Sequence, residues 1–543
     1  MMRYSISFLL ATYAFAAAVE EIAEVPKYLK LPVERSFGDS IDKRSHENVP
    51  EFEKRDGVVM TLNNKRVYYD TQLLLGSNQQ KINVLVDTGS SDLWVPASNA
   101  YCSYSSPYSS SSSANMVEGE LEDVSRPNIV DLDNLLLDNK GSPTDKLEKR
   151  ATSTIPLYGL TSSASSGGNL CTTFGSFNPN SSSSFHLNSS APSFSISYAD
   201  GTTANGFWGQ DTILFGGVSV NDVSFAIANR TSSQNAVLGI GLADLEATNI
   251  LSSTFSSLSN TYTYENLPMR LKSQGLIKTN SYSLYLNSKT ALSGSVLFGA
   301  IDHAKYSGTL QLVPIVPTLR ERNNKPLRLQ VILSGMSIQG SGQDVAVSSS
   351  PFSALFDSGS TYSYMPKSVL SNLASNFNAQ YSYTYDVYVV DCLYNKPGYN
   401  VTFDFSGIKI LIPLSNLLVE SRNQCILTLF PSTSSLSTSP TSILGDNFLR
   451  SAYVVYDLDN YVIAMAPIVY TTTENIEVIS GSIPSAVNAP GFSSTSTSAA
   501  TATSQSSSSP LSTPKGNGAT SGKSCPSGWI LVAFSVVSTI FVL

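Results

Sequence analysis

Histidine is nearly missing from this chain: His46, His186 and His303 are the 3 in 543 residues, and no two stand at helical i, i+4 spacing. Zinc sites and Ser-His-Asp triads each need at least one well-placed imidazole, so the sequence argues against both, and no metal or cofactor is expected. Charge is also scarce, 14% Asp, Glu, Lys and Arg, with a net charge of -8 and an isoelectric point near 5.1. That balance argues against a nucleic-acid partner and suits cationic substrates. Neither terminal apolar run, Phe8 to Ala18 or Trp529 to Leu543, reaches the roughly 20 residues of a membrane-spanning helix.

What is present is a repeat. Val84 to Val95 reads V-L-V-D-T-G-S-S-D-L-W-V, and Ala354 to Met365 reads A-L-F-D-S-G-S-T-Y-S-Y-M. Each copy runs from apolar residues through Asp, a small hydroxyl residue, Gly and Ser, the pattern of a buried strand ending in a tight turn that exposes one carboxylate. One such turn would be an ordinary strand end, but two suggest a pair, Asp87 and Asp357. Each is followed by an apolar-apolar-Gly segment, Ala236 to Gly241 and Ser442 to Asp446, which points to two related halves. The first half is longer. From Asp87 to Gly239 is 152 positions and from Asp357 to Gly445 is 88, and the 68 residues enclosed by Cys102 and Cys171 cover the difference. This acidic, Ser-rich insertion, 103–170, lacks the apolar periodicity to fold alone.

D-T-G-S-S-D-L-W, S-Y-A-D-G-T, D-S-G-S-T and I-L-G-D-N-F-L-R together resemble the pepsin-like aspartic proteases over roughly residues 67 to 470, and with the termini most resemble the yapsins and other glycolipid-anchored secreted aspartic proteases of yeasts. The resemblance implies an all-β, bilobal fold with a cleft between related lobes, here 56–265 and 266–472. Val296 to Gly299 and Leu310 to Val316 would begin the second lobe, and Leu251 to Ser273, partly helical, would connect the two. A short helix is expected over Val369 to Phe377.

The resemblance also implies the chemistry. Two facing carboxyls about 3 Å apart cannot both ionise, so one proton is shared and one partner acts as base while the other acts as acid. Asp87 and Asp357 are the expected dyad. Gly89 and Gly359 let the backbone pass close to them, Thr88 and Ser358 hydrogen-bond across the lobe boundary, and Ser90 and Ser360 match residues that hydrogen-bond the carboxylates. Tyr198 matches the flap tyrosine and Trp94 the residue that supports it; outside these motifs each would read as a plain core or strand aromatic. Ala199 stands where the family usually has Gly. Asp200 reads two ways, as a turn residue or as a partner for a basic substrate side chain. The activity implied is acid endopeptidase cleavage beside Lys or Arg, in processing or shedding of secretory and wall proteins, by a monomer. The rival is an inactive protease fold with a structural or adhesive role at the wall.

The remaining segments point to the secretory pathway. Residues 1–18 read as a signal peptide, and 19–55 as a propeptide ending at Lys54-Arg55, or else as a charged leader without structure. Lys149-Arg150 would be a second processing site, and a cut after Arg150 would leave two chains joined by a disulfide. By position the cysteines pair as Cys102-Cys171 and Cys392-Cys425, leaving Cys525. Asn180, Asn188, Asn229 and Asn400 are N-glycosylation acceptors by pattern. Residues 473–517 read as a Ser/Thr-rich stalk unable to bury a core, and 518–543 as a removed glycolipid-anchor signal with attachment at Asn517, which would also discard Cys525.

Overall fold

The computed structural model describes residues 28–34, 58–59, 62–64, 68–103, 170–198, 202–249, 262–291, 293–317, 325–340, 343–383, 387–421, 424–432 and 441–492. Arg55, Arg150, Asn517, Ala199, Asp200 and nearly all of the 103–170 insertion lie outside these residues. The described residues form an all-β protein with few helices. Among the described residues the strands form one 17-stranded sheet and several smaller ones, of which the largest has 5 strands.

The repeat read in the sequence is a repeat of strand pairing. In the first half, Gln80–Asp87 lies parallel to Ala236–Gly239, which also pairs antiparallel with Leu93–Cys102. In the second half, Phe352–Phe356 lies parallel to Thr441–Leu444, which pairs antiparallel with Ser363–Met365 through Ile443 and Tyr364. The Asp-bearing strand is therefore central in each half, which accounts for its apolar run: Val84, Val86, Ala354, Leu355 and Phe356 are all buried.

Three expectations change on folding. Ser293–Phe298 and Gln311–Pro314, read above as opening the second lobe, belong to the large sheet together with the first-half strands. There they join Ser281–Tyr285, Ala452–Asp457 and Val462–Pro467, so the chain's late strands return to pair with earlier ones and the sheet ties the halves together. Apolar alternation marks a strand but not its partner. Leu29–Glu34, inside the expected propeptide, is a strand antiparallel to Ser293–Phe298 with Leu29 fully buried. A leader without structure is therefore wrong for these residues.

The stalk is the third. Residues 476–488 contain two strands, Ile476–Val478 on Ala300–Asp302 and Val487–Asn488 on Gln311–Pro314, and Ile479, Ile483 and Ala489 are buried. The folded body extends through Phe492, which packs on the core, so a stalk cannot begin at 473. Three or four isolated apolar residues in a polar stretch carry no period, and the tertiary surface that covers them is not visible in the sequence.

Two helices matter here. Lys367–Asn376 follows the second Asp turn and buries Val369, Leu370, Leu373 and Ala374. Leu267–Ser273 is capped by Asn266, whose side chain accepts from the Met269 amide. Disulfides join Cys102 to Cys171 and Cys392 to Cys425.

Candidate active site

Asp87 ends its strand and Asp357 follows directly on the end of its own; the two are 5% and 7% exposed. Around them the backbone turns so tightly that no side chain fits: a Cβ on Gly89 would stand 2.7 Å from the Asp357 carboxyl carbon, and one on Gly359 would stand 2.5 Å from Asp87 Oδ1. Here glycine is required by approach, since both φ values are ordinary.

Thr88 and Ser358 lock the turns together by reciprocal bonds. Thr88 Oγ1 donates to the Phe356 carbonyl at 2.8 Å and accepts from the Ser358 amide at 2.9 Å. Ser358 Oγ donates to the Val86 carbonyl at 2.8 Å and accepts from the Thr88 amide at 3.2 Å. All four bonds are buried and cross from one half to the other, so neither carboxyl can move without the other.

The carboxyls are not equivalent. Asp87 accepts from the Gly89 amide at 2.7 Å and from Ser90 Oγ at 2.5 Å. Asp357 accepts from the Gly359 amide at 2.8 Å. Ser360, expected to do for Asp357 what Ser90 does for Asp87, instead donates its hydroxyl to the Tyr362 carbonyl at 2.9 Å. A hydroxyl has one proton to give, and a carbonyl two residues ahead takes it.

Burial raises both acids, and for Asp87 the bonds from Ser90 and Gly89 oppose the rise. Asp357 is pushed well above the carboxylate range by burial, then by the neighbouring Asp87 charge, and less by Asp446. The two carboxyls face each other across the turns, so their titration is joint, with Asp357 raised further than Asp87. One carboxylate and one carboxylic acid, side by side, can accept a proton from water and give one to a carbonyl oxygen.

Beside the pair, Trp94 is buried and its Nε1 donates to the Tyr198 hydroxyl at 2.8 Å. Tyr198 directly follows the strand Phe194–Ser197, which pairs with Thr203–Phe215, and the Tyr198 amide donates to the Thr202 carbonyl at 2.9 Å. The four sequence-predicted glycosylation acceptors fall at different exposures: Asn180 and Asn229 are exposed, Asn188 and Asn400 half-buried. Asn188 Nδ2 donates to Tyr262 Oη at 2.7 Å.

Sequence reasoning missed three buried acids, Asp446, Asp92 and Glu246. Asp446, in I-L-G-D, is fully buried next to Arg450, whose Nε donates to Tyr69 Oη at 2.8 Å. Asp92, the last acid of D-T-G-S-S-D, accepts from Tyr264 Oη at 2.5 Å and from the Ala247 amide at 3.0 Å. Burial raises Asp92 to about 6 and, with help from Asp92's charge, raises fully buried Glu246 to about 10. The available signal was an acid inside an otherwise apolar or hydroxyl run, which no motif weighed.

A family model described as eukaryotic aspartyl protease matches residues 68–123 and 157–468. Aspartic proteinase 3 of Saccharomyces cerevisiae is 39% identical over 486 residues, covering 86% of this chain and 82% of that protein. Aspartic proteinase MKC7 of the same yeast is 36% identical, over 88% of this chain and 80% of its own length. Secreted aspartic protease 9 of Candida albicans is 38% identical, with 89% and 91% covered.

Proposed function

This chain belongs to the eukaryotic aspartyl protease family and is an aspartic endopeptidase, and from that premise we propose that Asp87 and Asp357 are its catalytic dyad. The observation that carries the assignment is the buried, reciprocal Thr88 and Ser358 bonding that holds two unlike carboxyls together. A water between them loses a proton to ionised Asp87 as its oxygen attacks the peptide carbonyl carbon, while protonated Asp357 gives its proton to the carbonyl oxygen. Collapse of the resulting gem-diol returns a proton to Asp357, and the proton held by Asp87 passes to the departing amine, so the dyad ends as it began. Ser90 and the Gly89 amide keep Asp87 charged, and Trp94 sets the position of Tyr198, which covers the pair as a flap.

Cleavage beside Lys or Arg, secretion and retention at the cell surface through a glycolipid at Asn517 are parts of the same reading. Their support is the acidic balance of the chain, the terminal segments and the likeness to a protease named as secreted. Processing after Arg55 and Arg150, the second inside the loop closed by Cys102 and Cys171, would give two linked chains that separate on a reducing gel.

Asp87→Asn and Asp357→Asn are each expected to abolish peptide hydrolysis, with melting temperatures near that of the unchanged protein, because an amide cannot share the proton. Turnover by either purified variant within tenfold of the unchanged enzyme between pH 3 and 7 would refute the dyad.

A further inference from the structure

One of the glycosylation acceptors stands beside a pocket. Strands Gln343–Ser348, Gly335–Gly340, Asn400–Phe405 and Ile408–Pro413 form a four-stranded sheet in that order. Val401, Phe403 and Phe405 belong to the core, so Asn400, Thr402 and Asp404 lie on the opposite face, with exposed Lys409, Leu411 and Pro413 of the neighbouring strand. Asn400 and Pro413 are register partners, which sets their Cβ atoms about 5 Å apart. Unlike Asn188, whose amide is spent on Tyr262, the Asn400 side chain makes no hydrogen bond among the described residues.

Pro413 also lines a pocket of about 360 Å³, at the small end of the range that holds a ligand. The pocket lies between two sheets. Ser288 and Thr290 face it from the connection between strands Ser281–Tyr285 and Ser293–Phe298 of the large sheet, and Ser415 and Asn416 from the turn after Pro413. No carboxylate lines it, and its one cation, Lys289, already donates to the Ser415 and Leu418 carbonyls at 2.8 Å each. Tyr470 commits its hydroxyl to the Arg450 carbonyl and leaves its ring, 48% exposed, as a wall. What remains is neutral: hydroxyls and amides that can donate and accept, beside one aromatic face. That suits a sugar, with hydroxyls round its edge and C–H groups on its faces, and offers little to an ion or to an apolar ligand.

We propose that the occupant is this chain's own N-linked glycan: its N-acetylglucosamine core leaves Asn400 across Pro413 and seats in the pocket, linking the large sheet to the four-stranded one. Tethering favours this occupant over a free sugar, because a ligand bonded next to its site binds at a high effective concentration. The order of events agrees. Thr402, whose hydroxyl the acceptor pattern requires, is 3% exposed. Transfer must therefore precede closure of this sheet, and the pocket forms around a sugar already in place.

The inference rests on the secretory reading above, and its test separates the two. The full-length chain is made in a yeast host that leaves glycans in the high-mannose form, and occupancy is read by peptide mass spectrometry. Endoglycosidase H, which cuts within the N-acetylglucosamine core, is then applied to native and to denatured protein. The Asn400 glycan is expected to be released at least about tenfold more slowly from native than from denatured protein, the size of one or two hydrogen bonds. Glycans on exposed Asn180 and Asn229 should show no such gap. Thr290→Trp puts a large ring into the pocket from an exposed position and should abolish the protection. Ser415→Ala combined with Asn416→Ala removes bonds without filling space and should weaken it.

No glycan at any acceptor means that the chain does not pass through the secretory pathway, and both readings fall. Glycans at other acceptors with a bare Asn400 overturn the inference alone. So does an Asn400 glycan released equally fast from native and denatured protein. Full protection in the double variant overturns it as well, since the strand and not the pocket would then be the shield; this result decides even where Thr290→Trp fails to fold.

Discussion

Ser90 and Ser360 occupy the same place in their motifs, yet one donates to the Asp87 carboxylate and the other to a backbone carbonyl. This small difference favours the charge on Asp87. A hydrogen bond to the ionised form lowers a carboxyl's pKa, and one to a charged group is worth about 1.5 to 3 kcal/mol, or roughly one to two pH units. Ser90→Ala removes the largest interaction that opposes the burial of Asp87. The pKa of Asp87 then rises, and the acid side of the kcat/KM profile, where Asp87 must be ionised, moves to higher pH by about one unit. The profile of the variant against that of the unchanged enzyme checks this, and coincident acid limbs would show that Ser90 does not tune the dyad.

At the scale of elements, the stretch Ala243–Leu245 and the residues just after it are pinned to the approach to helix Leu267–Ser273 by two buried acids. Asp92 accepts from the Tyr264 hydroxyl and the Ala247 amide, while Glu246 accepts, at 3.3 Å, from Asn249 Nδ2. Tyr264 in turn packs on Trp208, at 5.0 Å between ring centroids, beneath the strands that carry Tyr198. Burial and the adjacent Asp92 raise Glu246 from 4.5 to about 10. For an acid raised in the folded state, the stabilising effect is complete below the unfolded value and is lost as pH climbs from there toward the folded one. Stability should therefore fall between about pH 4.5 and 7, at up to about 1.4 kcal/mol per unit from this one group. Glu246→Gln accepts the same bonds without a charge, so its melting temperature should fall less over that interval. Parallel melting curves across pH 4 to 7 would remove Glu246 from the explanation.

For the whole molecule, the segment after the last family-matched residue, Ile468, is part of the body. It contributes the Tyr285 and Lys305 contacts at Thr471 and Thr473, an ion pair from Glu474 to Lys30, and the buried Ile479 and Ile483. Burying two isoleucines stabilises by about 3 to 6 kcal/mol, a large share of the stability of an ordinary fold. A chain ended after Phe492 is expected to stay folded and active, and one ended after Thr472 to melt at least several degrees lower or to aggregate. Equal melting temperatures for the two truncations would show that this segment only rests on the surface.

The sequence by itself determined the chemistry, because the dyad is made by two local patterns. Asp, a hydroxyl residue and Gly at the end of an apolar strand specify a turn and a carboxylate wherever they occur, and two copies specify a pair. Cysteine placement and the buried strands were legible for the same reason. The sharing of that chemistry between unlike acids was decided only by tertiary structure. Which carboxyl faces which, and which acids lose their water, depend on neighbours remote in sequence. The same holds for the strand Leu29–Glu34 and the segment 476–492: whether a short, weakly patterned stretch is ordered depends on a surface built by residues hundreds of positions away, and local periodicity carries no record of it.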